Sequence, residues 1–230
     1  MSNTNKPDSF DRNHIVLLAV HNTLRRSLHQ SIINCDKTYV PDKKTLRNFL
    51  GFVDAAMQHL HNHHTNEDVI YFPVLAQHGI KIDHLDADHH ALIPKMKEID
   101  AVVKVDKRAF DNLEYNTFDF VSLKTNLEKL RDILLPHLDQ EEREHAPDIL
   151  RASGMSAQEL DNVLGGIVKA EQKLDPTISL PIIYYHLDEK EIKEFWEPTI
   201  PAVVRVGLFS MFACWNSGFW EFSYAKAKKP

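Results

Sequence analysis

The chain has 230 residues, a formal net charge of −6 and 43% apolar residues, which allows one sizeable core and argues against disorder. No tract of basic residues exceeds three, so nucleic acid is not an expected partner, and only 7 glycines argue against an all-β fold. Cys35 and Cys214 are far apart, and the polar start of the chain has no apolar signal segment. We therefore expect no disulfide framework and a cytoplasmic location.

The spacing of apolar residues predicts most of the secondary structure. Residues 1–12 are polar and are expected to form a flexible tail. Four amphipathic helices are predicted at about 14–33, 42–72, 83–103, and from 123 to before 154. Modest loops join them, including a polar loop at 106–117. Residues 13–153 are therefore predicted to form an all-α, antiparallel four-helix bundle.

The remaining residues, 154–230, are predicted to form an α-helical extension that is rich in aromatic residues. Ser156 and Glu159 have the spacing of a capping box, which starts a fifth helix. The sequence after 175 is expected to be irregular until a short helix at roughly 188–197.

The last apolar segment, residues 202–222, is interrupted by Arg205, Asn216 and Glu221. Polar and charged residues at these positions make a membrane span marginal. We expect the segment to pack on the bundle or on a second copy of the chain, which would give a homodimer.

Six titratable residues lie in an internal repeat of two helix pairs. In each pair, one helix carries a histidine and the other carries the pattern H-x-x-x-E, preceded in both copies by matched apolar residues. The offset between the copies is 74 residues for the H-x-x-x-E helices and 68 residues for the other two. The members are His21, His63 and Glu67 in the first copy and His89, His137 and Glu141 in the second.

These residues point to a metal centre because they lie on the apolar faces of their helices. His63 and Glu67 are four residues apart, one above the other on the same face. Buried imidazoles and carboxylates need partners, and two metal ions would satisfy all six groups at once. Imidazole together with carboxylate suits iron, and also zinc, manganese or copper.

The histidines next to His63 are interpreted differently. His61 is expected at the surface because it is two residues from His63. His64 is a candidate to replace His63, but its counterpart in the repeat is Leu138, which argues against a ligand role. His59 lies one turn before His63 and is left open as an extra ligand, a hydrogen-bond donor to a ligand, or an ordinary buried residue.

Pro136 stands directly before His137, inside the fourth predicted helix. Proline removes a backbone hydrogen bond, so a kink or π-bulge there could aim His137 toward the site. A tolerated kink without a role is the alternative.

At these residues the sequence resembles the hemerythrin-like family, whose domain is the HHE cation-binding domain. The segments "AVHNTLRRSL" and "HHTNEDVIYFPVL" resemble the family's first helix pair, and "DADHHALIPKM" with "LPHLDQEEREHAPDIL" resembles the second. The resemblance covers roughly residues 10–152. It implies a four-helix bundle with a non-haem di-iron centre, manganese or zinc being less favoured, and dioxygen chemistry or iron sensing. The implied ligands are His21, His63, Glu67, His89, His137 and Glu141, with the two glutamates as bridges.

One departure from the family bears on function. The oxygen carriers of the family use a fifth histidine one turn from the counterpart of His89, and Leu85 and Ile93 occupy those positions here. A missing ligand opens a coordination position, so the sequence favours an enzyme that uses dioxygen to oxidise a small organic substrate. The alternative is a protein that binds, stores or senses dioxygen or iron without catalysis.

Overall fold

The structure, a computed structural model, describes residues 7–37, 42–104 and 118–227. None of these residues lies in a β-strand, and the predicted all-helical class is confirmed. The first part of the chain forms helices α1 (Ser9–Lys37), α2 (Lys43–Asn66), α3 (Phe72–Gln77), α4 (Asp83–Val103) and α5 (Phe120–Glu144). The loop predicted at 106–117 lies outside the described residues.

Helix α1 begins earlier than the sequence predicted. The expected tail extended to residue 12, whereas α1 starts at Ser9. The carboxylate of Asp8 accepts a hydrogen bond from the backbone N–H of Asp11 (2.9 Å), which satisfies a donor of the first turn. Phe10 packs against a buried apolar cluster. The hydrogen bond to Asp8 and the packing of Phe10 extend the helix into the polar segment. Residues 1–6 of that segment lie outside the described part of the chain.

Ion pairs show that α1 and α5 run in opposite directions. Arg25 contacts Asp139 at 2.6 Å, near the end of α5, whereas Asp36 accepts a hydrogen bond from Lys124 at 2.7 Å, near its start. The apolar stripe of α5 is fully buried between the helices, with exposures of 1% or less at Leu123, Leu127, Leu130 and Leu134. Burial of this stripe is the main stabilising contribution of the helix.

A π-helical turn follows α2 directly. It spans Glu67–Tyr71, and the N–H of Phe72 donates to the carbonyl of Glu67. The sequence predicted that the helix would end near Pro73, but α3 continues to Gln77. Pro73 is tolerated because it stands at the start of α3, where its missing N–H costs little.

At Pro136 the sequence suggested a kink or a π-bulge, and no π-bulge is found there. Helix α5 remains α-helical through Pro136, and the bulge lies instead at Glu67–Tyr71. Burial of Leu134 and Leu138 on either side of Pro136 outweighs the one hydrogen bond that the proline removes.

The next helices are α6 (Pro147–Ala152), α7 (Ala157–Glu171) and α8 (Pro176–Tyr184). The predicted capping box of Ser156 and Glu159 is present at the start of α7. The prediction of irregular structure after 175 was wrong. The carboxylate of Asp175 accepts from the N–H of Thr177 (2.8 Å), and a proline at the first helical position is already set for a helix.

The chain then forms short helical segments: α9 (Glu189–Glu191), a π turn (Ile192–Trp196), α10 (Glu197–Thr199), a π turn (Val203–Leu208), α11 (Phe209–Trp215), a 3₁₀ turn (Phe219–Phe222) and α12 (Tyr224–Ala227). Trp220 is 2% exposed and belongs to the same apolar cluster as Phe49 of α2. Arg26 of α1 donates to the carbonyl of His186 (2.7 Å) and pairs with Glu191. The extension is thus attached to the long helices by both apolar and ionic contacts.

No single helix in the described residues is long and apolar enough to cross a bilayer. One pair of segments, Glu189–Thr199 with Val203–Trp215, reaches the required length and composition only when taken together, and it is bent by 117°.

Candidate metal centre

Two buried groups of side chains lie between the long helices. Within each group, one candidate ligand atom per residue lies within 4.8 Å of the others. The first group is His21, His63, Glu67 and Glu141, and the second is His64, Glu67, His89 and His137. All six residues predicted from the repeat are therefore brought together, and His64 joins them.

Glu67 lies between the two groups and belongs to both. Its Oε1 is 3.0 Å from Nε2 of His63, and its Oε2 is 3.5 Å from Nε2 of His89. Each oxygen thus faces one group. Glu67 is the first residue of the π turn, so the bulge begins at the residue that joins the groups.

Glu141 also lies between histidines of both groups. Its Oε2 is 3.4 Å from Nε2 of His21 and 3.9 Å from Nε2 of His137. His137 and Glu141 are four residues apart on α5, which places both on the buried face of that helix.

Seven inward-facing atoms of these side chains are buried, and although several lie close to one another, none of the seven has a partner in hydrogen-bond geometry among the described residues. They are Nε2 of His21, His63 and His64 and both carboxylate oxygens of Glu67 and Glu141. A buried polar atom without a partner costs about 1–3 kcal/mol, and more if it is charged. Seven such atoms face one region, and metal ions bound there would supply the partners that these atoms lack.

Carboxylates outside the groups orient three of the histidines. In each of these histidines, Nδ1 lies near a carboxylate oxygen. This is the arrangement expected when a protonated Nδ1 donates a hydrogen bond to that oxygen. In this tautomer Nε2 carries no proton and can act as a ligand atom, although Nε2 of His89 and Nε2 of His137 lie within 3.1 Å of each other. The pairs are His21 with Glu142 at 2.8 Å, His89 with Asp68 at 2.7 Å and His137 with Asp88 at 3.4 Å.

Burial and close charges shift the protonation of the groups. Burial lowers the pKa of His63 to about 3, so its imidazole is neutral and able to ligate. Burial and the repulsion from Glu141 raise the pKa of Glu67 to about 8. Burial acts to lower the pKa of His21, but the close carboxylates of Glu141, Glu142 and Glu67 outweigh it and raise this pKa well above its usual value. A metal ion binding here would displace protons.

The structure changes the interpretation of His64. The sequence argued against a ligand role because its repeat counterpart is a leucine, yet the side chain is buried. Its ring centroid lies 4.2 Å from that of His89 and 5.6 Å from that of His137. Burial lowers the pKa of His64 well below its usual value, so the imidazole is neutral. The signal in the sequence was its spacing of three residues before Glu67, which keeps it near the same helix face.

The neighbouring histidines lie outside both groups. His59 has Nε2 at 2.8 Å from the hydroxyl of Thr23 and is buried, which agrees with a packing role rather than with the extra-ligand alternative. His61 has Nε2 at 2.9 Å from Asp100, and its side chain is 36% exposed.

Sequence reasoning assigned no role to His145, which the structure places beside the site. Its side chain is fully buried, its Nδ1 lies 3.3 Å from Oε1 of Glu141, and its ring meets that of Tyr71 edge to face. The spacing of four residues from Glu141 along α5 is the signal that could have found it.

Residues 10–149 match the family described as the Hemerythrin HHE cation binding domain. The chain belongs to this family. The resemblance predicted over roughly 10–152 is thereby confirmed, and the hemerythrin HHE match spans α1 to α5 and the first half of α6. A search of curated proteins and a search of solved structures each found no significant match. Family and geometry together indicate a cation-binding protein with a histidine and glutamate site.

Proposed function

We propose that this hemerythrin HHE protein holds two iron ions inside an antiparallel bundle of α1, α2, α4 and α5, and that dioxygen binds there. The observation that carries the proposal is the convergence of seven unpartnered buried nitrogen and oxygen atoms on two groups that share Glu67. Imidazole with carboxylate is a donor set that suits iron, with manganese and zinc as the less favoured ions.

The two groups suggest how the ligands divide. His21 and His63 would hold one ion, and His64, His89 and His137 would hold the other. Glu67 would bridge the two ions because one of its oxygens faces each group. Glu141 would be the second bridge. This set contains five imidazoles from four helices, with two of them supplied by α2.

Two reduced iron ions at this place would supply electrons to dioxygen. The chain itself orients the ligands and excludes water. Asp68 keeps Nε2 of His89 pointing inward, and the ring of Phe72 stacks on the imidazole of His89 with centroids 5.3 Å apart. Tyr71 and Phe72, at 3% and 2% exposure, place apolar rings next to the site. A dry environment favours binding of a small apolar gas and protects a reduced centre from side reactions.

His64 weakens the sequence argument for catalysis. That argument relied on a missing fifth histidine next to His89, and hence on an open coordination position. His64 lies beside His89 and His137 and offers the fifth imidazole from a different helix. Binding of dioxygen for storage or sensing therefore becomes the favoured form of the proposal.

An oxidase or oxygenase acting on a small organic substrate is the second candidate, and one observation favours it. A cleft of about 320 Å³ lies between α2, the end of α4 and the extension, lined by residues such as Asp100, Leu174 and Ile178. Its wall includes His59, one helical turn before His63. A substrate in this cleft would lie one turn of α2 away from His63, since none of the residues of the two groups lines the cleft.

The experiment that separates the two candidates uses the full chain loaded with ferrous iron under argon. Binding without catalysis predicts a change in visible absorbance on adding dioxygen that reverses over several cycles of degassing. Catalysis predicts a change that does not reverse and that is faster with an organic substrate present. Absence of both responses in a protein that carries two irons would contradict the dioxygen proposal.

A further inference from the structure

The extension presents an uncharged apolar surface on α11 and the π turn before it. We call this surface the outer face. Its members share exposure to solvent and a lack of charge: Val203, Val206, Gly207, Leu208, Ser210, Met211, Cys214 and Trp215. The opposite side of the same segment is packed, since Phe209 contacts the rings of Tyr184 and Trp196 and Ala213 is buried. The outer face is therefore held in place by a packed inner side.

The exposure of the outer face is unusual for large apolar side chains. Val206 is 82% exposed, Trp215 79%, Val203 68% and Met211 57%. Single exposed apolar residues are ordinary, but contiguous apolar patches of several hundred Å² mark interaction sites. These four side chains and that of Leu208 together expose roughly 600 Å² per chain, which is close to the roughly 800 Å² that each partner buries in a stable interface.

We infer that the outer face is the contact surface between two copies of this chain. Gly207, Ser210 and Cys214 are small and exposed at spacings of three and four residues, so they form a shallow line along the helical segment. Larger apolar side chains, among them Val206 and Trp215, stand beside this line. Two copies related by a two-fold axis can place the large side chains of one over the small residues of the other.

Charge favours a second copy over an anionic membrane. The chain carries a net charge of −6, which repels a bilayer of anionic lipids. No member of the outer face is basic, and Lys226, which lines a hollow beside Ser210 and Cys214, is paired with Glu221 at 3.4 Å. Arg205 is only partly buried, but its Nε donates to the carbonyl of Ile200 at 2.9 Å. Contact between two uncharged faces brings no like charges together.

The test uses the full-length, metal-loaded protein and its oligomeric mass. Sedimentation equilibrium should give twice the chain mass of 26.5 kDa. Val206→Glu should weaken dimerisation at least about 100-fold, because it buries two like charges at the axis. Val121→Glu is the matched control, since Val121 is also exposed (76%) but lies on α5, and it should remain dimeric. Metal content and circular dichroism should be unchanged in both variants.

A second measurement uses the exposed thiol of Cys214. A short bis-maleimide should join two chains, and Cys214→Ser should abolish the product, since Cys35 is buried. A wild-type protein that is monomeric at every concentration would overturn the inference, as would a Val206→Glu variant that dimerises like wild type. Binding of the wild type to vesicles of phosphatidylcholine and phosphatidylglycerol, lost in Val206→Glu, would assign the face to a membrane and also overturn it. None of these outcomes depends on the metal centre, so the proposed function is tested separately.

Discussion

His63 and His64 are neighbours in the sequence, yet their imidazoles enter different groups of the site. Their ring centroids are 5.5 Å apart, with His63 beside His21 and Glu67, and His64 beside His89. On a regular helix, consecutive residues point about 100° apart, so His63 faces α1 while His64 faces α4, and both of these helices pack against α2. The shared glutamate lies at the start of the π turn that follows these two histidines.

Removal of either imidazole should therefore cost one metal site. We expect His63→Ala and His64→Ala each to reduce the iron content of the purified protein from about two ions per chain to about one, or to less where the sites fill together. His61→Ala is the control and should retain two ions. The measurement is metal analysis of the folded variants. Full metal content in His64→Ala would show that its burial is only a packing feature.

The carboxylates behind the histidines should tune metal affinity. Asp68→Asn removes the charged acceptor at Nδ1 of His89 and should weaken metal binding about 10- to 100-fold. Asp132→Asn is the matched control. The Asp132 carboxylate is exposed, and Arg131 is its partner in the ion pairs of the described residues. Competition with a chelator measures both. Equal affinities in the two variants would remove Asp68 from the site.

Because His186 is buried, we expect the protein to lose stability in mild acid. This histidine is fully buried, and burial lowers its pKa to about 4. The unfolded chain binds this proton near pH 6.5, before the folded chain does, so stability falls as pH drops from about 6.5 toward 4. The contribution between pH 7 and pH 5 is on the order of 1–2 kcal/mol.

Urea unfolding of wild type and His186→Leu at pH 7 and pH 5 isolates this effect. The variant should lose less stability between the two pH values, because changes at the other groups, including the metal site, are common to both proteins. An identical pH dependence in the two proteins would mean that the pKa of His186 is the same in the folded and the unfolded chain.

Close approach of α2 and the extension should make Gly51 sensitive to substitution. A Cβ at this position would overlap the ring of Phe219, so Gly51→Ala should destabilise the protein by about 1–3 kcal/mol despite the better helix propensity of alanine. Gly165 of α7 has open space around it. Gly165→Ala should be neutral or stabilise by up to about 1 kcal/mol. Denaturant midpoints measure both, and equal shifts would show that the extension does not press on α2.

The sequence by itself determined the helical class and the six residues of the repeat. Apolar residues at spacings of three and four specify which face of each long helix is buried. Because His63 and Glu67 lie on such a face, as do His137 and Glu141, their burial followed from the pattern alone. The family was identified on the same residues, and the match to residues 10–149 confirmed it.

Only the tertiary structure decided which further histidines join the site. The repeat argued against His64 as a ligand, but a repeat describes helix faces and carries no information on the distances between helices. Its place beside His89 depends on how closely α2 approaches α4. His145 likewise reaches Glu141 only because α5 remains helical beyond Pro136. The sequence also missed helix α8, since apolar residues alone do not distinguish an irregular segment from a short helix that is fixed by a cap at Asp175 and by packing against its neighbours.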